Sequence, residues 1–342
     1  MEIQHPTIYN VAESAGVSIA TVSRVLNSPY QVTESTRQKV LQAIEDLNFV
    51  PKAEASVRAK KHIGRIGVLT PFLTTPSFVE RIEGIAHALD GTEYELIVYS
   101  VRNAKQLQHY LDMFSAARRL DGLIILSLPI EDEALRRVVA NGTQAVSIEV
   151  SNAFCCNITV DNIAGGCLAA AHLLEKGYRR CAYIGESIEP MNKTGNCEKR
   201  LQGFRERLQQ DGLDIPKEYI RLFSLTMDES EQHAQIEEAA LHTYALLDLP
   251  TPPQAIFTYS DMYAIGVLKA LRQRKLHAPE DLAVVGFDNI HVADFMELST
   301  VDQNLEESGR LAVEFLLSRF EGKSQAIQNI ELQIHVKERN TT

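Results

Sequence analysis

The first fifty residues place apolar side chains three and four apart. Ile8, Val11, Ala12 and Ala15 form one stripe, and Val22, Val25 and Leu26 form a second. That spacing predicts amphipathic helices. Gly16 separates the two stripes, where a left-handed backbone costs nothing without a Cβ. Thr7 and Ser18 stand where a hydroxyl can cap each helix. A third stripe, Val40, Leu41, Ile44 and Leu47, follows the cap candidate Thr33, and residues 48–51 close it. From Ile63 the rhythm changes. Short apolar runs over 66–70, 95–100, 121–126 and 146–149 predict strands, between helical patterns over 78–89, 104–118 and 131–141. A second set begins near Asp161. It has helices over 164–176, 198–211, 229–247, 261–274 and 305–321, and strands over 181–185, 255–258 and 282–287. One final strand is expected over 330–336. Such alternation implies parallel sheets covered by helices on both faces.

The second stripe has an opposite face of distinct chemistry: Ile19, Ala20, Thr21, Ser23 and Arg24. Small and hydroxylic residues let a helix approach base edges closely, and an arginine can grip guanine O6 and N7. The apolar Ile19 and Ala20 suit thymine methyl groups. Two short helices joined at this turn fit a helix-turn-helix with its recognition helix second. By turn spacing alone, they also fit a helix pair in any small bundle.

The run TIYNVAESAGVSIATVSRVLN, followed by VTESTRQKVLQAIEDLNFVP, resembles the DNA-binding headpiece of the lactose/galactose repressor (LacI/GalR) family. The resemblance continues through VDNIAGG (160–166), HLLEKGYRRCAYIG (172–185), RLQGF (200–204), QAIFTYSDMYAIG (254–266), PEDLAVVGFDN (279–289) and STVDQNLEESGRLA (299–312). Each segment is weak alone; their order and spacing are specific. The resemblance implies an α/β fold. An N-terminal all-α helix-turn-helix headpiece would precede a two-lobed, periplasmic-binding-protein-like body with parallel sheets. The expected bounds are 1–50 for the headpiece, 51–62 for a hinge helix or linker, and 63–342 for an effector-binding and dimerisation domain. Lobe 1 would take about 63–161 and 292–322, and lobe 2 about 162–291 and 323–342. The family's hinge helix pairs with its dimer mate in the DNA minor groove; read by composition, residues 51–62 also fit a solvated connector. The family's usual wedge leucine, seven residues after Pro51, is here Arg58, with Val57 beside it. The DNA-facing set is therefore Thr7, Ser18, Ile19, Ala20, Thr21, Ser23, Arg24, Asn27, Val57 and Arg58.

For the body, the resemblance assigns effector contacts to Phe72, Thr74, Thr75, Asn196, Arg200, Ser260, Asp288 and Gln303. Arg200 stands in the family's R-x-x-G-[FY] pattern, and Asn196 lies one helical turn before it. Arg200 and Asp288 together could read a polyol by charge-assisted hydrogen bonds, or form a salt bridge across the cleft. Phe78, near Phe72, reads first as a core anchor and only second as a stacking ring. Residues 223–235 depart from the family's course, and no ligand residue is carried over there.

Composition sharpens this picture. The chain has 342 residues, is 45% hydrophobic and carries a formal net charge of −11, which suits two or three domains. Residues 1–62 hold seven Lys/Arg against six Asp/Glu, so positive charge gathers at the headpiece and hinge while the body is acidic. An acidic body discourages non-specific adhesion to phosphate. No apolar run reaches the roughly 18 residues of a membrane span, and no export signal opens the chain, so a cytoplasmic protein is expected. Five cysteines without a C-x-x-C pair argue against a disulfide framework or a metal site. No phosphate-cradling loop, G-x-S-x-G or H-E-x-x-H motif is present, and neither catalytic residues nor cofactors are expected. The reading is a homodimeric transcriptional regulator, a repressor, of pseudo-palindromic double-stranded operator DNA. A small-molecule effector, a carbohydrate or derivative, binds between the lobes. The alternatives are a solute-binding protein, or a sugar-processing enzyme with an appended headpiece.

Overall fold

The computed structural model describes residues 6–27, 32–47, 49, 64–186, 194–223, 231–323 and 326–342. Two compact units emerge, Met1–Gly64 and Arg65–Thr342. The expected hinge, with Val57 and Arg58, lies outside the described residues.

The headpiece contains α1 (Ile8–Ala15), α2 (Ile19–Asn27) and α3 (Glu34–Asp46). Val11, Ala12, Val22, Val25, Val40 and Ala43 fill its core. Gly16 ends α1 at φ 65°, the left-handed backbone that favours glycine. Ser18 caps α2, its Oγ accepting the Thr21 N–H at 3.1 Å. Thr7 is the N-cap of α1, as expected, in a capping box with Asn10, whose Oδ1 accepts the Thr7 hydroxyl at 2.6 Å and the Thr7 N–H at 2.9 Å. Leu41 differs. Expected inside, it is 45% exposed, because the inward stripe of α3 runs through Val40, Ala43 and Ile44 and leaves position 41 at its edge.

The body is built on two six-stranded sheets. The first has the order β11-β5-β4-β3-β1-β2. Its strands are β1 (Gly64–Thr70), β2 (Tyr94–Ser100), β3 (Gly122–Leu126), β4 (Gln144–Ile148), β5 (Cys156–Val160) and β11 (Asn329–Leu332). The helices of this lobe are α4 (Pro76–Leu89), α5 (Ala104–Ala116), α6 (Asp132–Ala140) and α12 (Leu305–Phe320). The second sheet has the order β12-β10-β9-β8-β6-β7. Its strands are β6 (Cys181–Glu186), β7 (Ile220–Phe223), β8 (Ala255–Thr258), β9 (Ala283–Asp288), β10 (Ser299–Asp302) and β12 (His335–Lys337). Its helices are α7 (Asn162–Glu175), α8 (Asn196–Gln210), α9 (Glu231–Leu247), α10 (Asp261–Arg274) and the short α11 (His291–Phe295). β1, β3, β4, β5 and β11 are paired in parallel, as are β7, β6, β8, β9 and β10; β12 lies antiparallel to β10. Both faces of the first sheet are apolar. Ile66, Val68 and Ile124 point to one side, and Leu69, Leu123 and Ile125 to the other.

Two expectations are corrected here. The single strand over 330–336 is two strands in different sheets. Its apolar positions alternate without a break, so the pattern carries no mark of the crossover between lobes. At that crossover Gln333 O accepts the Asn304 Nδ2–H at 2.7 Å, tying two of the connecting segments together. The lobe bounds shift accordingly: β10 belongs to the second lobe and β11 to the first. β10 was invisible to hydrophobic patterning because buried polar side chains make it up. Ser299, Thr300 and Asp302 are each 9% exposed or less. Thr300 Oγ1 donates to Asp261 Oδ1 at 2.5 Å, and the Ser299 N–H donates to Thr341 Oγ1 at 2.9 Å.

In the second lobe, α7 and α8 meet at glycines. A Cβ on Gly203 would lie 1.9 Å from Ile163 O, and one on Gly166 would lie 2.0 Å from Arg200 O. This backbone contact sets the height of α8, and with it Arg200.

Candidate functional site

Parallel strands present their carboxyl ends to one side, where open α/β sheets bind ligands. Both sheets of the body do so across one cleft. From the first lobe come Pro71, Phe72 and Thr75 after β1, Ser127 after β3 and Glu149 after β4. From the second come Glu186 at the end of β6, Tyr259 and Ser260 after β8, and Asp288 at the end of β9. Gln303, after β10, reaches the same wall. The cavity they enclose has a volume of about 100 Å³.

Arg200 forms the floor and is 3% exposed. Its guanidinium lies 3.5 Å from the centre of the Phe287 ring and 4.8 Å from that of Tyr259. Cation–π attraction of this kind strengthens where water is excluded. Nε donates to Asn162 Oδ1 at 2.8 Å, and Nη1 donates to Tyr259 O at 2.6 Å. Asn162 Nδ2 donates to Asn196 Oδ1 at 3.2 Å, so the amide links the two wall residues of α8. Asp288 Oδ1 stands 3.8 Å from Arg200 Nη1 and accepts Gln303 Nε2–H at 2.5 Å. Burial pushes the Asp288 carboxyl up to about 7; Arg200 and Arg81 pull it back and Glu149 adds to the rise.

The wall of the first lobe is held by Arg81 of α4, which is 2% exposed. It donates to Ser77 O at 3.1 Å, to Gln303 Oε1 at 3.2 Å and to Glu149. Ser127 Oγ donates to Glu149 as well. A continuous chain, Ser127–Glu149–Arg81–Gln303–Asp288, thus joins the two lobes behind the cavity. Its backbone is unusual. Ser127, Glu149, Asp288 and the adjoining Asn289 and Asn304 all have positive φ, a conformation costly for residues with a Cβ and concentrated at functional sites.

The headpiece offers a second surface. With Val22 and Val25 buried, α2 turns Ile19, Ala20 and Arg24 to solvent, while Ser18 is exposed and Thr21 and Ser23 are half-buried. Thr7 is exposed at the start of α1. Asn27 ends α2, and its side chain lies outside the described residues. Tyr9, 67% exposed beside these groups in sequence, is an aromatic that the apolar-stripe reading passed over.

Residues 7–52 match the family described as bacterial regulatory proteins, lacI family, and residues 170–342 match the periplasmic binding protein-like domain. The chain is 31% identical to the ribose operon repressor of Escherichia coli (strain K12), over 98% of this chain and 99% of that one. It is 29% identical to the HTH-type transcriptional repressor PurR of Photobacterium profundum, over 95% of each. Among solved structures, the Lac repressor dimer bound to operator and the anti-inducer ONPF superposes with a TM-score of 0.72 at 25% identity, covering 99% of both chains. The chain belongs to the LacI family. It is a DNA-binding transcriptional regulator with an effector-binding body, not an enzyme.

In this LacI-family regulator, the cavity gathers seven of the eight residues expected there: Phe72, Thr75, Asn196, Arg200, Ser260, Asp288 and Gln303. Thr74 is the exception. It is exposed and not part of the wall, because the loop after β1 turns Thr75 inward as the cap of α4. Phe78 is 8% exposed, packs edge-on against Phe72 at 5.6 Å and also lines the cavity. Arg200 and Asp288 lie in the same lobe rather than across the cleft. Ser127, Glu149 and Glu186 were missed, although each ends or follows a strand; the strand-end rule applied to every strand would have found them. Gln235 on α9 also lines the cavity and had no such signal. An exposed Glu/His group, Glu83, His291 and Glu306, lies outside the cavity, with His291 already 3.5 Å from both Glu80 and Glu306.

Among the described residues, no helix is long and apolar enough to cross a membrane.

Proposed function

We propose that this protein is a cytoplasmic, homodimeric repressor that binds a pseudo-palindromic double-stranded operator and is controlled by a carbohydrate effector. The observation that carries this reading is the joining, in one chain, of an outward-facing recognition helix to a two-lobed body with a polar cavity between its lobes. Operator contacts fall to Thr7, Ser18, Ile19, Ala20, Thr21, Ser23, Arg24 and Asn27, with Arg24 reading a guanine. Effector contacts fall to Phe72, Thr75, Asn196, Arg200, Ser260, Asp288 and Gln303. Phe72 supplies a ring for the sugar's apolar face, and Arg200 and Asp288 bracket its hydroxyls. The likeness to a ribose operon repressor and to an operator-bound Lac repressor dimer supports the partners named here. Effector occupancy biases lobe closure, and operator affinity changes through a coupling free energy of typically ~1–3 kcal/mol.

The test uses the operator that the wild-type protein selects from random duplex DNA. Arg24→Ala is expected to cost about 1–3 kcal/mol on that site in fluorescence anisotropy, with little loss on a scrambled duplex. Equal losses on both would remove Arg24 from base reading.

A further inference from the structure

Glu83, His291 and Glu306 converge outside the effector cavity, and one donor atom of each lies within 4.8 Å of the others. They come from three helices. Glu83 stands on α4, His291 opens α11, and Glu306 lies in the first turn of α12. α4 and α12 belong to the first lobe and α11 to the second. His291 Nε2 is 3.5 Å from Glu306 Oε1. Two donors held at about 2.0–2.2 Å from one ion, at tetrahedral angles, stand roughly 3.3–3.6 Å apart. The imidazole and the carboxylate therefore already have the spacing of ligands on a common ion.

A separate, buried group stands behind the ring. The Glu80 side chain is 8% exposed; its Oε1 accepts the His291 backbone N–H at 2.6 Å and lies 3.5 Å from Nδ1. Among the described residues, its other oxygen has no hydrogen bond or ion pair. The side chain lines a groove of about 530 Å³ that His291 and Glu306 also border. A metal-bound histidine almost always gives its second ring N–H to a carboxylate or carbonyl, which fixes the tautomer and the ring. Glu80 occupies that place on the Nδ1 side, while Nε2 faces Glu306. Burying a carboxylate is costly unless a cation answers it. Arg310 at the groove is committed to Glu307 and Glu314, and the imidazole offers at most one positive charge to three carboxyl groups.

We propose that Glu83, His291 and Glu306 bind a divalent first-row transition-metal ion, zinc being the type case, with Glu80 orienting His291 and water completing the shell. One imidazole among carboxylates suits zinc, cobalt or nickel, whereas magnesium and calcium prefer oxygen ligands alone. The cysteine spacings spoke only against thiolate sites, and this one contains no thiolate. Because its ligands span the two lobes, the ion binds only the arrangement that keeps His291 beside Glu306. Metal occupancy therefore favours that arrangement over one in which the lobes have parted.

Isothermal titration of the full-length, tag-free, chelator-treated protein with Zn²⁺ tests this. Wild type is expected to bind one Zn²⁺ per chain that His291→Ala does not bind, and the pair Glu83→Gln with Glu306→Gln is expected to lose the same ion. Glu80→Gln, which keeps an acceptor for the His291 N–H, is expected to weaken it by about 10–100-fold. Co²⁺ in the site should show visible d–d bands without the near-ultraviolet charge-transfer band of a thiolate ligand. Zn²⁺ is expected to raise the thermal midpoint of wild type and leave that of His291→Ala unmoved. Without metal, the variants at the three solvent-facing ligands should melt close to wild type, as surface substitutions do. Should His291→Ala not fold, Glu306→Gln alone, which keeps the side-chain shape, takes its place. Equal Zn²⁺ binding by wild type and the ligand variants, or none by wild type, overturns the site. Displacement of Zn²⁺ by an equal concentration of Mg²⁺ or Ca²⁺ overturns the choice of metal class. Unchanged affinity in Glu80→Gln overturns the role of Glu80.

Discussion

Asp288 concentrates the physics of the cleft in one side chain. It holds φ at 123°, is 6% exposed, and its carboxyl is pushed up to about 7, chiefly by burial. The unfolded value is about 3.9. The native state therefore holds this proton more tightly than the unfolded chain. The corresponding stability is fully present below about pH 4 and is lost as pH rises toward about 7. Compared with Asp288→Asn, the ligand-free wild type is expected to gain thermal stability on going from pH 7.5 to pH 5.5. Effector affinity should move oppositely. A ligand hydroxyl donates best to the ionised carboxylate, so binding releases a proton and weakens as pH falls below about 7. Calorimetry in buffers of different ionisation enthalpy counts that proton. No proton release, with parallel melting curves for the two proteins, would show that Asp288 is ionised throughout.

Among the elements, the α7–α8 pair shows how backbone contact places chemistry. An alanine in a helix is ordinarily better than glycine by roughly 1 kcal/mol. At position 203 the added Cβ would meet the carbonyl of Ile163 at 1.9 Å, backbone against backbone, and no flexible side chain can yield. Overpacking of this kind costs typically about 1–3 kcal/mol, which outweighs the propensity gain. Gly203→Ala is therefore expected to lower stability in urea titration. It should also weaken effector binding, since Arg200 sits one turn earlier on the displaced helix. Full stability with normal effector affinity would mean that the helices separate without moving Arg200. Glu83 and Glu306 beside His291 illustrate the opposite case. All three are exposed, so solvent screens their charges and their contributions to stability are small.

At the scale of the whole molecule, the body leaves one large aromatic uncovered. Phe295 on α11 is 87% exposed, and Val292 beside it is 44% exposed. An isolated exposed apolar residue needs no explanation, but an aromatic next to a second apolar side chain fits the centre of a protein interface. Under the homodimer reading, a second copy covers it. Phe295→Asp is expected to shift sedimentation toward monomer without lowering the stability of the monomeric fold, because the side chain packs against little of its own chain. Operator affinity should fall with the dimer, since two half-sites then lose their link. Unaltered sedimentation would place the interface elsewhere.

How much of this was written in the residues depended on whether the signal was local. The headpiece was legible because its helices are amphipathic: Ile8, Val11, Ala12 and Ala15 lie at helical spacing in one, Val22, Val25 and Leu26 in the next, and the outward faces follow by subtraction. The alternation of strands and helices was legible because buried parallel strands such as 66–70, 122–126 and 283–287 are nearly continuous apolar runs. β10 escaped, since its buried hydroxyls and carboxyl are satisfied by partners distant in sequence, among them Asp261 and Thr341. The crossover between β11 and β12 escaped because alternation has the same period on either side of it. In the cleft, Arg200 and Asp288 stood out through their motif. Ser127 and Glu149 are marked only by standing just past strand ends, and Gln235 carries no local mark; they become a site only when strand ends from two sheets, and one helix wall, converge on a single space. By itself, then, the sequence determined the periodic elements and the identity of the family, because those rest on neighbours along the chain. Which residues face the cavity, and that Arg81 and Arg200 each stand against a carboxylate, was decided by the tertiary structure, because burial and pairing are properties of residues far apart in the chain.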